Sequence, residues 1–193
     1  MKILDAIKNR RSIRKYTNQE PASDLIKNVL HAGNWAPSAG NSQPWEFIVV
    51  KGEVKREISQ EFYNFAKDYI PKAAYIPKDQ KARMLEYSKD FGGAPIHIIV
   101  SYPNLNDKEK KEEALKASCA AIQNILLQAT VNGLGTVWVD GNITHSKTVK
   151  EIIGLSDDRL IAGIIPIGYP DSNPPAPPRQ DPELNEKVKW LGF

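Results

Sequence analysis

The segment Pro37-Ser38-Ala39-Gly40-Asn41-Ser42-Gln43-Pro44-Trp45 joins two stretches of different hydrophobic pattern. Before it, apolar residues recur at helical spacing over residues 25–30, and the first proline of the segment ends that predicted helix. After it, residues 45–50 form an apolar, β-favouring run that predicts a strand. Inside it, the small residues allow close approach, whereas the amides donate and accept hydrogen bonds. The segment suits an ordinary turn, or a backbone lying against a flat polar ring.

Upstream of this loop lies the basic segment Arg10-Arg11-Ser12-Ile13-Arg14-Lys15-Tyr16. In an extended chain, Ser12 and Arg14 point to one side and Ile13 to the other, so Ile13 can anchor the segment in the core. Guanidinium groups match the oxygen geometry of a phosphate. The segment therefore predicts a phosphate site. The alternative needs no ligand, because cations at the end of a helix are favoured by its dipole.

The remaining pattern predicts alternating helices and strands. We expect helices at 4–10, 21–36, 54–69, 79–88, 108–132 and 146–153, and strands at 45–50, 96–101, 136–139 and 160–167. The helix at 108–132 is apolar nearly all round at its centre, which predicts a buried central helix.

Composition bounds the class of protein. The 193 residues suit one domain, 1–193, with a proline-rich C-terminal arm at about 171–193. The arm ends in Trp190, Leu191 and Phe193, so we expect it to carry these side chains onto another surface, such as a second subunit. A net charge of +3 does not favour nucleic acid, and no apolar run is long enough to span a membrane. We expect a soluble, cytoplasmic protein.

Two further segments are candidates for ligand contact. Gly133 to Gly141 predicts a helix stop, a buried strand and a turn, and the amides at the strand end could meet a ligand edge. Arg179 in the arm is, taken alone, a surface residue. We expect His97 to be a hydrogen-bonded structural histidine and Cys119 to be a core residue, and the sequence carries no metal motif.

In this order along the chain, four segments resemble the FMN-dependent nitroreductase family: residues 10–14, 36–45, 133–141 and 178–179. The resemblance implies an α+β fold with a central mixed, mostly antiparallel sheet wrapped by helices. It implies an intertwined homodimer with FMN at the interface, and NADH or NADPH as reductant. The flavin carries the chemistry, so no catalytic side chain is assigned.

The resemblance also implies roles for individual residues, each at the position that matches a family segment. Arg10 and Arg179 would bind the phosphate, Ser12 the phosphate or ribityl chain, and Arg14 the pyrimidine edge. Arg11 belongs to the same cofactor-binding set. The other subunit would supply Pro37, Ser38, Ala39 and Asn41 to line the ring. Trp138 and Val139 would pack on one face, and the amides of Asp140 and Gly141 would approach N5 and O4. Some members carry a cation where this chain has Pro177.

The implied activity is reduction of nitroaromatic, quinone or related acceptors by a ping-pong mechanism, with a small-molecule acceptor and no nucleic-acid or membrane partner. Two alternatives remain open from the sequence. One is a specialised flavin enzyme of the same fold, such as an oxidase, dehalogenase or flavin-fragmenting enzyme. The other is a flavin-binding storage or sensor protein. The contribution of residues 53–90 to the flavin pocket is not assigned.

Overall fold

The computed structural model describes residues 2–193 and has a four-stranded sheet at its centre. The strands are β1 (Glu46–Val50), β2 (Ile96–Pro103), β3 (Gly135–Thr136) and β4 (Arg159–Gly168). They lie in the order β1-β2-β4-β3, and every neighbouring pair is antiparallel. An isolated parallel bridge joins Ser12 to Thr136 at the β3 edge. The expected mixed, mostly antiparallel α+β architecture is therefore confirmed.

Six α-helices surround the sheet in the described part of the chain. They are α1 (Ile3–Asn9), α2 (Ser23–Asn34), α3 (Gly52–Tyr69), α4 (Lys78–Ser88), α5 (Lys108–Val131) and α6 (Lys147–Ile152). Each lies within a few residues of a helix that the sequence pattern predicts. Asp107 begins α5 by accepting hydrogen bonds from the amides of Glu109 and Lys110, which satisfies two otherwise unpaired donors.

The core lies on both faces of the sheet because the side chains of β2 alternate. Ile98 and Val100 pack with α2 and α5, whereas Ile99 packs on the opposite face with α3 and α6. Eight residues of α5 are buried, which confirms the predicted central helix. Burial of each isoleucine, leucine or valine side chain in the two core layers contributes about 1.5–3 kcal/mol, so these layers hold the sheet rigid beneath its edge segments.

The predicted strand at 136–139 is wrong in its extent. Strand β3 covers only Gly135–Thr136, and the chain rejoins β4 at a bridge between Val139 and Ile164. Between these points the Trp138 indole turns inward and donates from Nε1 to the carbonyl of Ala162 at 3.2 Å. A Cβ on Gly163 would lie 2.3 Å from that nitrogen, so the ring occupies the space above β4 and interrupts the pairing.

Two side chains differ from their predicted environments. His97 is fully buried, but neither ring nitrogen has a hydrogen-bond partner among the described residues, so it is not the satisfied histidine that we expected. It packs edge-on against Phe91, which supplies no acceptor in the plane of the imidazole. Cys119 is half-buried rather than part of the core, because it lies at the edge of the α5 face that packs inward.

Residues at the two ends of the described chain leave large apolar side chains in solvent. Trp190 and Leu191 are 71% and 72% exposed, and Phe193 is 99% exposed. Ile3 and Leu4 of α1 are also exposed. Within residues 2–193, no helix combines the length and the apolar character needed to cross a membrane.

Candidate cofactor site

The basic segment 10–16 lies extended along the β3 edge, where backbone hydrogen bonds fix it. The amide of Ile13 donates to the Thr136 carbonyl at 2.9 Å, and the amide of Tyr16 donates to the Gly92 carbonyl at 3.0 Å. Ile13 is only 5% exposed and packs over Gly135. The side-chain alternation expected from the sequence is therefore present, with Ile13 inward and Arg14 exposed.

The C-terminal arm returns to this same segment. The amide of Thr17 donates to the Tyr169 carbonyl at 2.9 Å, and the amide of Asp171 donates to the Lys15 carbonyl at 3.0 Å. Lys15 Nζ also lies 2.6 Å from a carboxylate oxygen of Asp171. These contacts dock the root of the arm on the basic segment, and the stiff proline run carries Arg179 back across it.

A cavity of about 260 Å³ lies between the basic segment and the arm. Its lining consists of Arg10, Arg11, Ser12, Arg14, Pro174, Pro175, Pro177 and Arg179. No acidic side chain belongs to this described lining. Prolines have no amide hydrogen to offer, so the polar character of the cavity comes from the guanidinium groups and the Ser12 hydroxyl.

The guanidinium groups in the cavity repel one another. Partial burial lowers the pKa of Arg10, and the neighbouring charges of Arg11 and Arg179 lower it further. Within residues 2–193, none of the four cavity arginines forms an ion pair. Arg11 donates to the carbonyls of Lys8 and Arg10 at 2.6 and 2.9 Å, so part of its donor capacity caps α1. The cavity thus concentrates positive charge that a bound dianion would neutralise.

The loop 37–45 has a defined shape but lies outside this cavity. Gly40, Asn41 and Gln43 have φ values of 57°, 55° and 44°, and Ser38 Oγ accepts a hydrogen bond from the Gln43 amide at 3.0 Å. Pro37, Ala39 and Asn41 are exposed, and Ser38 is half-buried. The structure therefore does not bring these four predicted residues to the arginine cavity of their own chain.

The third predicted segment places its side chains inward and its turn outward. Trp138 is half-buried, and Val139 is buried in the α3–α6 layer. Asp140 and Gly141 are exposed, and one Asp140 carboxylate oxygen accepts from the Gly141 amide at 2.7 Å and from the Thr144 hydroxyl at 2.8 Å. Gly141 has a φ of 99°, which a residue with a side chain rarely adopts. None of these four residues lines the arginine cavity.

The model of the nitroreductase family matches residues 7–169 of the chain. The chain belongs to the nitroreductase family. The match includes the basic segment, the loop 37–45 and the third segment, and it ends where the arm begins.

Known nitroreductase-family proteins are similar to this chain over most of its length. YfhC of Bacillus subtilis (strain 168), provisionally named an NAD(P)H nitroreductase, is 30% identical over 173 residues, which are 89% of this chain and 86% of that protein. The crystal structure of a nitroreductase-like protein from Bacillus cereus is 28% identical, with a TM-score of 0.80 and coverage of 100% and 97% of the two chains. A provisionally named nitroreductase from Desulfovibrio desulfuricans, solved in complex with FMN, is 26% identical, with a TM-score of 0.72 and coverage of 98% of each chain.

Within this family member, the structure adds Pro174 and Pro175 to the cavity, two residues that the sequence did not single out. Pro174, Pro175 and Pro177 form the wall opposite the arginines, and the Lys15–Asp171 pair fastens that wall. The position where some nitroreductases carry a cation is thus a wall residue here. The composition of the arm could have indicated its stiffness, but nothing local predicts its pairing with a segment about 155 residues away.

Proposed function

We propose that the chain is an FMN-dependent oxidoreductase that uses NADH or NADPH to reduce nitroaromatic, quinone or related acceptors, and that it acts as a homodimer with FMN at the interface. The arginine cavity carries this proposal. Four guanidinium groups that have no acidic partner in the described chain surround a space with no carboxylate in its lining. Since like charges in one cavity destabilise each other, a ligand anion is the missing element.

The residues of the cavity fit the phosphate end of FMN. A phosphate monoester carries close to two negative charges near neutral pH and offers oxygens to the planar forks of Arg10 and Arg179. Ser12 adds a hydroxyl that can donate to the phosphate or to a ribityl oxygen. A volume of about 260 Å³ is below the usual size of a site for a whole drug-sized ligand. The cavity therefore suits the phosphate tail, and we place the flavin ring outside it.

The exposed loop 37–45 supports the dimeric part of the proposal. Its small residues and amides belong to a segment that the nitroreductase resemblance assigns to the flavin ring, yet they do not line the cavity of their own chain. A second subunit would bring Pro37, Ser38, Ala39 and Asn41 over the ring held by the first. The apolar side chains left exposed on α1 and on the C-terminal tail supply surface that such a partner would cover.

On this proposal the protein contributes binding and charge. Bound FMN would supply the two-electron chemistry, with NAD(P)H and the acceptor using the same pocket in turn. Arg14 would hold positive charge beside the pyrimidine edge, where a reduced flavin carries its negative charge. The amides of the exposed residues Asp140 and Gly141 would donate to N5 and O4 after the Asp140 carboxylate releases the Gly141 amide. The half-buried Trp138 and the buried Val139 would support the face of the ring from below.

The visible spectrum of the purified protein tests the proposal first. We expect a yellow protein, or a colourless one that takes up added FMN with one flavin per chain. Anaerobic NADH or NADPH should bleach the flavin absorbance, and a nitroaromatic or a quinone should restore it. A preparation that takes up no FMN at saturating concentration would refute the proposal.

The same titration separates the two alternatives that share the fold. A storage or sensor protein would bind FMN tightly but be bleached slowly by both nicotinamides. A specialised flavin enzyme would be reduced but would not be reoxidised by nitroaromatics or quinones. Rapid bleaching followed by rapid reoxidation is the outcome expected for the proposed reductase.

A further inference from the structure

The backbone of Arg14 rests directly on the turn that precedes β2. A Cβ built on Gly92 would lie 2.1 Å from the Arg14 carbonyl oxygen and 2.7 Å from its carbonyl carbon. The same Cβ position is 3.2 Å from Cδ2 of Tyr87, so the tyrosine ring borders this contact. Gly92 also has a φ of 70°, and its carbonyl accepts from the Tyr16 amide. The position from which Arg14 extends its side chain is therefore set by Gly92 and Tyr87.

The hydroxyl of Tyr87 is buried without a partner among the described residues. Its ring packs edge-on against Phe62 and Phe91, with centroids 6.1 Å away in both cases. A buried hydroxyl without a hydrogen bond destabilises the folded state, and a phenylalanine would fill the same space without that cost. Such a group in a native protein calls for a specific explanation.

The guanidinium of Arg14 also lacks a close partner in the described chain. Its side chain is exposed, it forms no ion pair in residues 2–193, and its one hydrogen bond to protein is a long contact of 3.5 Å with the Ser12 carbonyl. Its positive charge lies close enough to Tyr87 to favour the ionised phenol, although burial dominates and raises the Tyr87 pKa well above its usual value. The phenol therefore stays neutral, and its oxygen can accept from a guanidinium that has only donors.

We propose that Tyr87 is a positioning residue for Arg14. Its hydroxyl oxygen accepts a hydrogen bond from the Arg14 guanidinium when that group turns to the pyrimidine edge of FMN, while Gly92 fixes the backbone from which Arg14 reaches. The inference rests on the proposed function, and through Tyr87 it assigns a role to the segment 53–90, which the sequence left unassigned. Without the tyrosine oxygen, the guanidinium would spread over more orientations and would stabilise negative charge on the flavin less well.

The Tyr87→Phe variant tests this role because it removes only the unpartnered oxygen. The thermal unfolding midpoint of the apoprotein should stay the same or rise. Redox titration of the bound flavin should give a more negative reduction potential, equivalent to a loss of about threefold to tenfold in affinity for the reduced relative to the oxidised cofactor. A tenfold loss corresponds to about 30 mV for two electrons.

An Arg14→Ala variant and the Tyr87→Phe/Arg14→Ala double variant show whether the tyrosine acts through the arginine. Arg14→Ala should lower the potential at least as far as Tyr87→Phe, and the double variant should match Arg14→Ala alone. Additive shifts, or a Tyr87→Phe holoprotein with the wild-type potential, would overturn the inference. Wild-type protein that takes up no FMN would instead refute the proposed function, so the two failures are distinct.

Gly92 and Gly93 provide a matched pair of glycines for testing whether Gly92 fixes the backbone of Arg14. Both have positive φ, 70° and 80°, so an alanine at either position costs conformational strain. A Cβ on Gly93 would come no closer than 3.8 Å to Tyr16, whereas one on Gly92 would displace Arg14. Both alanine variants should unfold at lower temperature, but only Gly92→Ala should shift the flavin potential. Equal potentials in the two variants would remove Gly92 from the mechanism.

Discussion

Lys15 Nζ lies 2.6 Å from Asp171 Oδ2, and this ion pair joins the basic segment to the first residues of the C-terminal arm. A hydrogen bond from Lys15 to Asp171 and the charge of that carboxylate raise the pKa of Lys15. Lys15 is the cation of segment 10–15 that has an acidic partner in the described chain, whereas Arg10, Arg11 and Arg14 have none. The pair therefore keeps an acid of the arm away from the cavity and leaves the arginines available to an anion.

Loss of this ion pair should weaken binding of the FMN phosphate and leave binding of the rest of the flavin unchanged. For Lys15→Met or Asp171→Asn we expect FMN affinity to fall by about twofold to fivefold, the range for an exposed ion pair. Affinity for riboflavin, which lacks the phosphate, should not change. Quenching of flavin fluorescence measures both. Arg83→Met, which breaks the exposed Arg83–Asp79 pair on α4, is the control and should leave both affinities as in wild type. Equal losses for FMN and riboflavin would contradict a role at the phosphate.

Replacing a cavity arginine should weaken FMN binding without lowering the stability of the apoprotein. Arg179→Ala removes one of the charges that repel Arg10, so the apoprotein should be at least as resistant to urea as wild type. FMN affinity should nevertheless fall by roughly tenfold or more, since hydrogen bonds to charged groups contribute about 1.5–3 kcal/mol. Arg10→Ala should show the same loss of FMN binding. A variant that retains wild-type FMN affinity would remove that arginine from the phosphate site.

Much of the fold follows from local pattern. Helical spacing in 25–30 and apolar runs at 45–50 and 96–101 predict α2, β1 and β2 because hydrophobic periodicity reports which face is buried. The extent of β3 could not be predicted, since it depends on the Trp138 ring meeting Gly163 of a distant strand. Tertiary packing there overrides the strand propensity of the valines.

The candidate site was predictable only in part. Alternation in segment 10–16 predicts which side chains point outward, and the nitroreductase resemblance paired Arg10 with Arg179, which the structure places on one cavity. The pairing of Tyr16 with Pro170 that assembles this cavity has no local signal. The burial of His97 follows from its apolar neighbours in β2, but its lack of a partner depends on side chains from other elements. The Phe91 ring packs against it and the charge of Lys55 acts on it, and neither side chain offers an acceptor.

His97 should make the protein sensitive to acid. Burial, and secondarily the charge of Lys55, lowers its pKa from 6.5 to about 3. Between these values the unfolded chain binds a proton that the folded chain excludes, so stability is full above about pH 6.5 and falls as the pH drops towards 3. The slope due to this residue is about 1.4 kcal/mol per pH unit.

Urea unfolding at several pH values between 4 and 7 measures this slope. In the His97→Leu variant, the pH slope of the free energy of unfolding should decrease by the amount that corresponds to about one proton. The stability of this variant near pH 7 should stay close to wild type because two unpartnered nitrogens are removed. The exposed His145→Gln variant is the control and should keep the wild-type slope. An unchanged slope in His97→Leu would show that its imidazole titrates normally or gains a partner in solution.

The C-terminal tail should be part of a subunit interface. Trp190, Leu191 and Phe193 expose most of their apolar surface, although Trp190 and Phe193 contact each other with ring centroids 5.2 Å apart. Covering such side chains contributes about 1.5–3 kcal/mol each, so Trp190→Ser/Leu191→Ser should raise the dimer dissociation constant at least tenfold in sedimentation equilibrium. The control Tyr75→Ser removes a 74% exposed aromatic side chain near the start of α4 and should not change the dissociation constant.

If the flavin ring lies between two subunits, FMN affinity of the tail variant should also become dependent on protein concentration. A monomeric wild-type protein, or a tail variant that dimerises as wild type does, would contradict this placement of the tail.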